Sequence, residues 1–237
     1  MTVRVLQVSD VHLTTSPLPD GADDPGERLD LVLAAAVERL GRPDLVIASG
    51  DLTDDGSREA CARLGERLGA LGAPVVAVAG NHDDPAVVAE VFGAPEAVVG
   101  GWRVLGVDTS RPRQVHGTVD VDTVRGRLDA LDDRPTLVVL HHPPVSPSTH
   151  EWFQLDGAQA LVALLAQRPH VVAVLSGHLH QPFDSVVGGV RVLGAPSTWV
   201  GLSHEGGTFV VGGEERTGAR HLELHDDGTW STSLLTA

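Results

Sequence analysis

Five short valine-rich runs constrain this chain more than anything else in it: VRVLQVS at 3–9, LVIAS at 45–49, VVAVA at 75–79, TLVVL at 136–140 and VVAVLS at 171–176. Each is rich in valine and bounded by Pro, Gly, Asp or His, the pattern of a buried strand. Between them lie stretches with helical spacing. In 28–40 the apolar residues Leu29, Val32, Leu33, Ala36, Val37 and Leu40 share one face; 57–71, 84–92, 120–131 and 157–167 behave alike. Strands alternating with helices predict an α/β layered fold. From residue 184 onward the pattern changes to short strands and turns, with Gly188-Gly189 and Asp227-Gly228 at hairpin positions. This tail, 184–237, is expected to add antiparallel strands to a second sheet. No linker, low-complexity tract or repeat interrupts the chain, so residues 1–237 read as one domain. With 42% hydrophobic content in 237 residues there is material for one large core or two small ones.

The residues at the end of each run matter more than the run itself. The first ends in Asp10 and His12, the second in Gly50 and Asp51, and the third in Gly80, Asn81, His82 and Asp83. The fourth ends in His141, His142, Pro143 and Pro144, and the fifth in Gly177, His178, Leu179 and His180. Strand carboxyl ends in an open α/β sheet meet at one edge, where ligands bind. Residues two apart in an extended chain point to the same side, so His178 and His180 would project together. Any one of these pieces alone is an ordinary strand-to-loop turn. All five in order, holding half of the twelve histidines, are not. Imidazole suits transition metals and carboxylates or amide oxygens suit Mg and Mn, so the mixture points to divalent transition-metal ions. There are more candidate ligands than one ion needs, which suggests a two-metal hydrolytic site. The glycines before Asp51, Asn81 and His178 fit tight turns with close backbone approach.

Several other chemistries are excluded or disfavoured. All seventeen basic residues are arginine, which removes Schiff-base and P-loop lysine chemistry. The single Cys61 leaves no internal disulfide, Cys-rich zinc site or iron–sulfur cluster. A net charge of −15 opposes binding to a nucleic-acid polymer. No run of eighteen apolar residues is present, and the N-terminus lacks the features of a signal peptide. The expectation is a cytoplasmic protein with no membrane partner.

The series D-x-H, G-D, G-N-H-D, H-H-P-P, G-H-x-H resembles the calcineurin-like metallophosphoesterase superfamily, and within it the bacterial class III cyclic-nucleotide phosphodiesterase and glycerophosphodiesterase branch. The segments VDTS at 107–110 and GAPSTW at 194–199 extend the likeness to nearly the whole chain. The resemblance implies a four-layer αββα sandwich with two central mixed sheets and a two-metal site at one edge. It implies that Asp10, His12, Asp51 and His180 hold one ion, with Asp51 bridging, and that Asn81, His141 and His178 complete the second. The ions would be manganese or iron, with zinc as an alternative. His82 would face the phosphate as the catalytic residue, with Asn81 beside it on the substrate. His142 is read as supporting a ligand or serving packing alone, with these two uses and substrate contact left open.

The function implied is hydrolysis of a small phosphate ester, a diester ahead of a monoester, by a metal-bound hydroxide. A phosphomonoesterase or nucleotide pyrophosphatase on the same ions is the alternative, and a non-catalytic interaction scaffold of the same fold is the other class. A nuclease is disfavoured for want of a basic groove. Trp152 and Phe153 are open between leaving-group contact and loop packing. Asp83 reads as a helix cap, Trp199 as core and His116 as a solvated loop residue. His204, His221 and His225 read as surface positions of the tail, while His150 and His170 belong to no motif. The Pro/Gly-rich loop 14–27, directly after the first motif, is left without a role.

Overall fold

The computed structural model describes residues 1–19, 21–111, 114–212 and 216–236; Asp20 of the 14–27 loop, and 213–215 and 237 of the tail, lie outside the described residues. In chain order the elements begin with β1 (Thr2–Val8), α1 (Pro25–Leu40), β2 (Leu45–Ser49), α2 (Arg58–Gly69), β3 (Val75–Val78) and α3 (Pro85–Phe92). Next come β4 (Glu96–Val99), β5 (Trp102–Gly106), β6 (Gly117–Thr118), α4 (Val121–Asp129) and β7 (Thr136–Val139). A short 3₁₀ turn at Glu151–Phe153 leads to β8 (Leu155–Asp156), α5 (Ala158–Leu165) and β9 (Val171–Ser176). The tail holds β10 (Phe183–Val187), β11 (Val190–Gly194), β12 (Leu202–Glu205), β13 (Thr208–Val211), β14 (Gly218–His225) and β15 (Trp230–Thr236).

Two mixed sheets form the centre, one of five strands in the order β15-β14-β1-β2-β3, the other of six in the order β10-β11-β9-β7-β5-β4. The alternation of side chains along each strand explains why both faces are apolar. In β1, Leu6 and Val8 pack outward with α1 and α2 residues such as Leu29, Val32, Leu64 and Leu68. Val3 and Val5 turn the other way and meet Leu137, Val139, Ala173 and Leu175 of the second sheet. On the far side of that sheet, Val138 and Val174 pack with Leu128 of α4 and Leu161 of α5. The result is four layers, αββα, as the family likeness implied.

Helix starts follow from short polar caps. Asp24 and Asp84 each precede a proline, and their carboxylates accept from Gly26 N and Glu27 N, and from Ala86 N. Asp120 caps α4 in the same way. The five valine-rich runs are β1, β2, β3, β7 and β9. Trp102–Gly106 is a further core strand, parallel to β7, that the sequence reading passed over, because its apolar run is interrupted by Arg103 and a closing glycine.

The tail departs from expectation. β10 and β11 do extend the second sheet beside β9, but β14 returns to the first sheet, antiparallel to β1 from Thr2↔His225 to Gln7↔Arg220, and β15 follows it. An antiparallel hairpin can cap either sheet equally well, and nothing local in the tail chooses between them. Among the described residues no helix is long and apolar enough to cross a membrane.

Candidate metal centre

The carboxyl ends of β1, β2 and β3 in one sheet face those of β7 and β9 in the other, and the eight expected metal and catalytic side chains from Asp10 to His180 gather around that seam. Backbone geometry marks them first. Among the described residues, the non-glycine positions with positive φ are Asp10 (51°), His12 (50°), Asp51 (46°), His178 (72°) and His180 (47°), all of them expected metal ligands. Left-handed backbone costs L-residues about 1–2 kcal/mol each and persists only where surroundings over-determine it. Here the turns interlock: Asp10 N donates to Gly50 O (3.0 Å), His12 N to Asp51 O (2.9 Å) and His178 N to Asp10 Oδ1 (2.9 Å). The expected role of the three glycines holds. A Cβ at Gly50 would overlap the His141 ring, one at Gly80 would overlap Asp51, and one at Gly177 would overlap Ser9 Oγ.

One ligating atom each from Asp10, His12, Asp51 and His180 lies within 4.8 Å of the others, and all four residues are buried. His12 Nε2 stands 3.2 Å from His180 Nε2 and 3.7 Å from Asp51 Oδ2, and His180 Nε2 stands 3.5 Å from Asp10 Oδ1. On the other side of Asp51, the same Oδ2 is 3.4 Å from His141 Nε2, which is itself 3.2 Å from Asn81 Oδ1. Asp51 Oδ2 therefore stands between two groups of donors. His178 joins the second group, its ring centroid 4.9 Å from that of His141.

The outer nitrogens of the histidines are already spoken for. His141 Nδ1 donates to Ser49 O (2.9 Å), His180 Nδ1 to Val200 O (2.8 Å) and His178 Nε2 to Trp152 O (2.8 Å). Each backbone bond occupies one ring nitrogen and leaves the other as the one available to a metal ion. His12 has a carboxylate in that place, with Asp54 Oδ1 3.3 Å from Nδ1. The donor set thus fits divalent transition-metal ions.

Electrostatics agree. Burial works against charge on Asp51, yet His141, His12 and His82 hold its carboxyl well below the usual range. Burial also opposes charge on His141, but the Asp51 carboxylate outweighs it and raises the ring to about 9. His178 and His180 are pushed down, first by burial and then by neighbouring imidazoles.

Asn81 and His82 lie at the mouth. His82 is exposed, its backbone N–H donating to Asp51 Oδ1 (3.0 Å) and its Nδ1 to Asp54 O (3.0 Å), so Nε2 is the free nitrogen. Asp54, with Oδ1 3.4 Å from His82 Nδ1, raises that ring to about 9, and is itself held far below the usual carboxylate range by His12 and His82. Sequence reasoning missed Asp54. Its only signal is a position three residues past Asp51 in GDLTD, a spacing shared by countless turns.

Other placements differ from expectation. Asp84, not Asp83, caps α3; Asp83 accepts from Leu52 N, Thr53 N, Thr53 Oγ1 and Gly80 N, and so ties the β2 and β3 turns together. His142 donates from Nε2 to Val115 O (2.9 Å), accepts at Nδ1 from Thr109 Oγ1 (2.9 Å), and lies 4.4 Å from the His178 ring. Burial lowers it to about 3, so it is a neutral brace behind His178. Trp199 is half-buried against His12 (5.6 Å) instead of in the core. Phe153 is buried against His178 and the His204 ring, whereas Trp152 stays 45% exposed. His221 is buried and His204 half-buried, not surface residues, because β14 is an inner strand and His204 donates to Leu179 O. His116 is a half-exposed loop residue, as expected, with Nε2 3.1 Å from Arg111 Nη1.

A family model for calcineurin-like phosphoesterases matches residues 3–182. A probable cyclic nucleotide phosphodiesterase from Synechococcus is 33% identical, covering 99% of this chain and 92% of its own length. A 3′,5′-cyclic adenosine monophosphate phosphodiesterase from Pseudomonas aeruginosa is 34% identical, covering 98% and 89%. Among solved structures, a dimetal phosphatase from Danio rerio superposes with a TM-score of 0.64 over 99% of this chain and 98% of that one, at 15% identity.

Proposed function

Because this chain belongs to the calcineurin-like phosphoesterase family, we propose that it hydrolyses small phosphodiesters with two divalent transition-metal ions, and that its substrates are cyclic nucleotides or glycerophosphodiester-like molecules. The observation that carries this reading is Asp51 Oδ2, which stands 3.7 Å from His12 Nε2 and 3.4 Å from His141 Nε2 and so serves two donor groups at once. Asp10, His12, Asp51 and His180 would hold the first ion; Asp51, Asn81, His141 and His178 would hold the second. Such a pair, once bound, supplies Lewis acidity at the phosphoryl oxygens and an activated water. That added positive charge offsets, at the phosphate, the chain's formal net charge of −15.

His82 does the remaining work. Its Nδ1–H is fixed on Asp54 O, so Nε2 is presented to the substrate, and with a pKa raised to about 9 it carries a proton near neutrality. It donates that proton to the leaving oxygen. Asp54 positions both His82 and His12. The cyclic-nucleotide names of the relatives favour that substrate class over glycerophosphodiesters.

The test is a substrate panel on protein reconstituted with manganese, iron or zinc: cyclic AMP, 2′,3′-cyclic nucleotides, glycerophosphodiesters, nucleoside monophosphates and bis-p-nitrophenyl phosphate. Turnover of diesters ahead of p-nitrophenyl phosphate is expected. A strong monoester preference would reassign the protein as a phosphatase, and full activity after exhaustive chelation would refute the metal reading.

A further inference from the structure

A diester bound at the metal centre must put an organic group somewhere, and one cavity has lining residues hydrogen-bonded directly to the histidine cluster. Segment 114–116 and the stretch 151–156 enclose about 450 Å³. Both walls are anchored on the histidine cluster, Val115 O by His142 Nε2 (2.9 Å) and Trp152 O by His178 Nε2 (2.8 Å). Gly117 lets the first wall come this close, since a Cβ there would overlap the His142 ring. The two walls are joined by β6 and β8, which pair at Gly117↔Leu155. Small-molecule sites typically enclose about 300–1,000 Å³, so a nucleoside-sized group fits.

The lining is selective. Trp152 supplies a 45% exposed aromatic surface, and the half-exposed His116 ring lines the same cavity. Glu151 and Asp156 add carboxylates. Arg111 is committed to the wall, with Nη2 3.1 Å from Asp156 Oδ2 and Nη1 3.2 Å from Gln114 Oε1. A second phosphate entering here would face the two carboxylates. A neutral aromatic group bearing amine or hydroxyl donors would instead stack on Trp152 and donate to those oxygens.

We propose that this cavity is the subsite for the base and ribose of a nucleotide substrate, with Trp152 as its stacking surface and Glu151 and Asp156 as its acceptors. The assignment rests on the phosphodiesterase reading above and narrows it to nucleotides over glycerol esters. It also disfavours substrates with a phosphate chain extending into this side.

The test compares dissociation constants of adenosine 5′-monophosphate, glycerol 3-phosphate and inorganic phosphate on the full, metal-loaded chain by calorimetry. Stacking of a base on an aromatic side chain predicts a preference for adenosine 5′-monophosphate over phosphate of roughly tenfold or more. Trp152→Ala should bring those two constants within about threefold of each other, while Trp152→Phe keeps most of the preference. The phosphate constant, measured in each variant, reports whether the centre is intact. If Trp152→Ala loses phosphate binding as well, Gln114→Trp fills the cavity from the opposite wall and carries the same expectation. Equal affinity for the nucleotide and phosphate in the unmodified protein, a preference that survives Trp152→Ala or the filling variant, or tighter binding of glycerol 3-phosphate overturns the subsite. Nucleotide preference without turnover of any diester would support the subsite and overturn the phosphodiesterase reading instead.

Discussion

Replacing Asp54 by asparagine isolates the residue that the structure adds to the motif set. Asp54 Oδ1 lies 3.3 Å from His12 Nδ1 and 3.4 Å from His82 Nδ1, and the side-chain bond to Asp54 is the largest influence raising His82 from 6.5 to about 9. The His82 and Asp54 side chains are 40% and 49% exposed, so solvent screening reduces the carboxylate's share to about 1 kcal/mol, or about one pH unit. The bond from His82 Nδ1 to Asp54 O survives in the variant. A raised histidine pKa keeps the proton-donating form below that pKa and loses it above. Asp54→Asn should therefore move the alkaline limb of kcat for an alkyl diester toward neutrality by about one unit. At pH values between the old and new limbs the rate falls by up to about tenfold, whereas a nitrophenyl diester, whose leaving group needs little protonation, is much less affected. Loss of the carboxylate behind His12 should also weaken metal binding by about 10–100-fold, so the profile is recorded at saturating metal. An alkaline limb that stays put, with metal affinity unchanged, would refute the role given to Asp54.

Four further outcomes are expected. Asp51→Ala should lower metal content by elemental analysis, and activity with it, more than loss of any terminal ligand such as His180, because Asp51 serves both donor groups. His82→Ala should keep its metal yet lose about 10²–10⁴-fold on a cyclic nucleotide and far less on a nitrophenyl ester; equal losses on both would place His82 on the phosphoryl oxygens. Gly80→Ala, whose Cβ would overlap Asp51, should cost about 1–3 kcal/mol in denaturant unfolding and reduce metal content. Chelated protein should be most stable near pH 6.5 by thermal denaturation. Above it, the protons that His82 and His141 hold up to about 9 in the folded state are lost; below it, the unfolded chain takes up protons that buried, pKa-lowered His142, His178 and His180 refuse. Metal loading should flatten the alkaline slope, since an ion replaces the proton on His141.

The sequence by itself determined the parts that depend on neighbours along the chain. Val3 through Val8 and the other valine-rich runs are apolar on both faces, which admits only strands covered twice, and the Asp-Pro pairs at 24–25 and 84–85 start helices wherever they occur. Glycine before Asp51, Asn81 and His178 leaves room that any side chain would close. The candidate ligand residues were legible because each sits just beyond a readable strand end. Which sheet those strands join was not: three ends come from one sheet and two from the other, and β14 sits beside β1 instead of with β10 and β11. Pairing between strands more than two hundred residues apart, as in Thr2↔His225, is decided by the fit of whole faces and leaves no local trace. The same holds for the backbone of the candidate ligands. Left-handed φ at Asp10, His12, Asp51, His178 and His180 runs against local preference, and only bonds across the seam, such as His178 N to Asp10 Oδ1, hold those turns in place. Asp54 behind two histidines and Asp83 across two turns belong there too, because a carboxylate's partner is a matter of distance in space, which tertiary structure alone supplies.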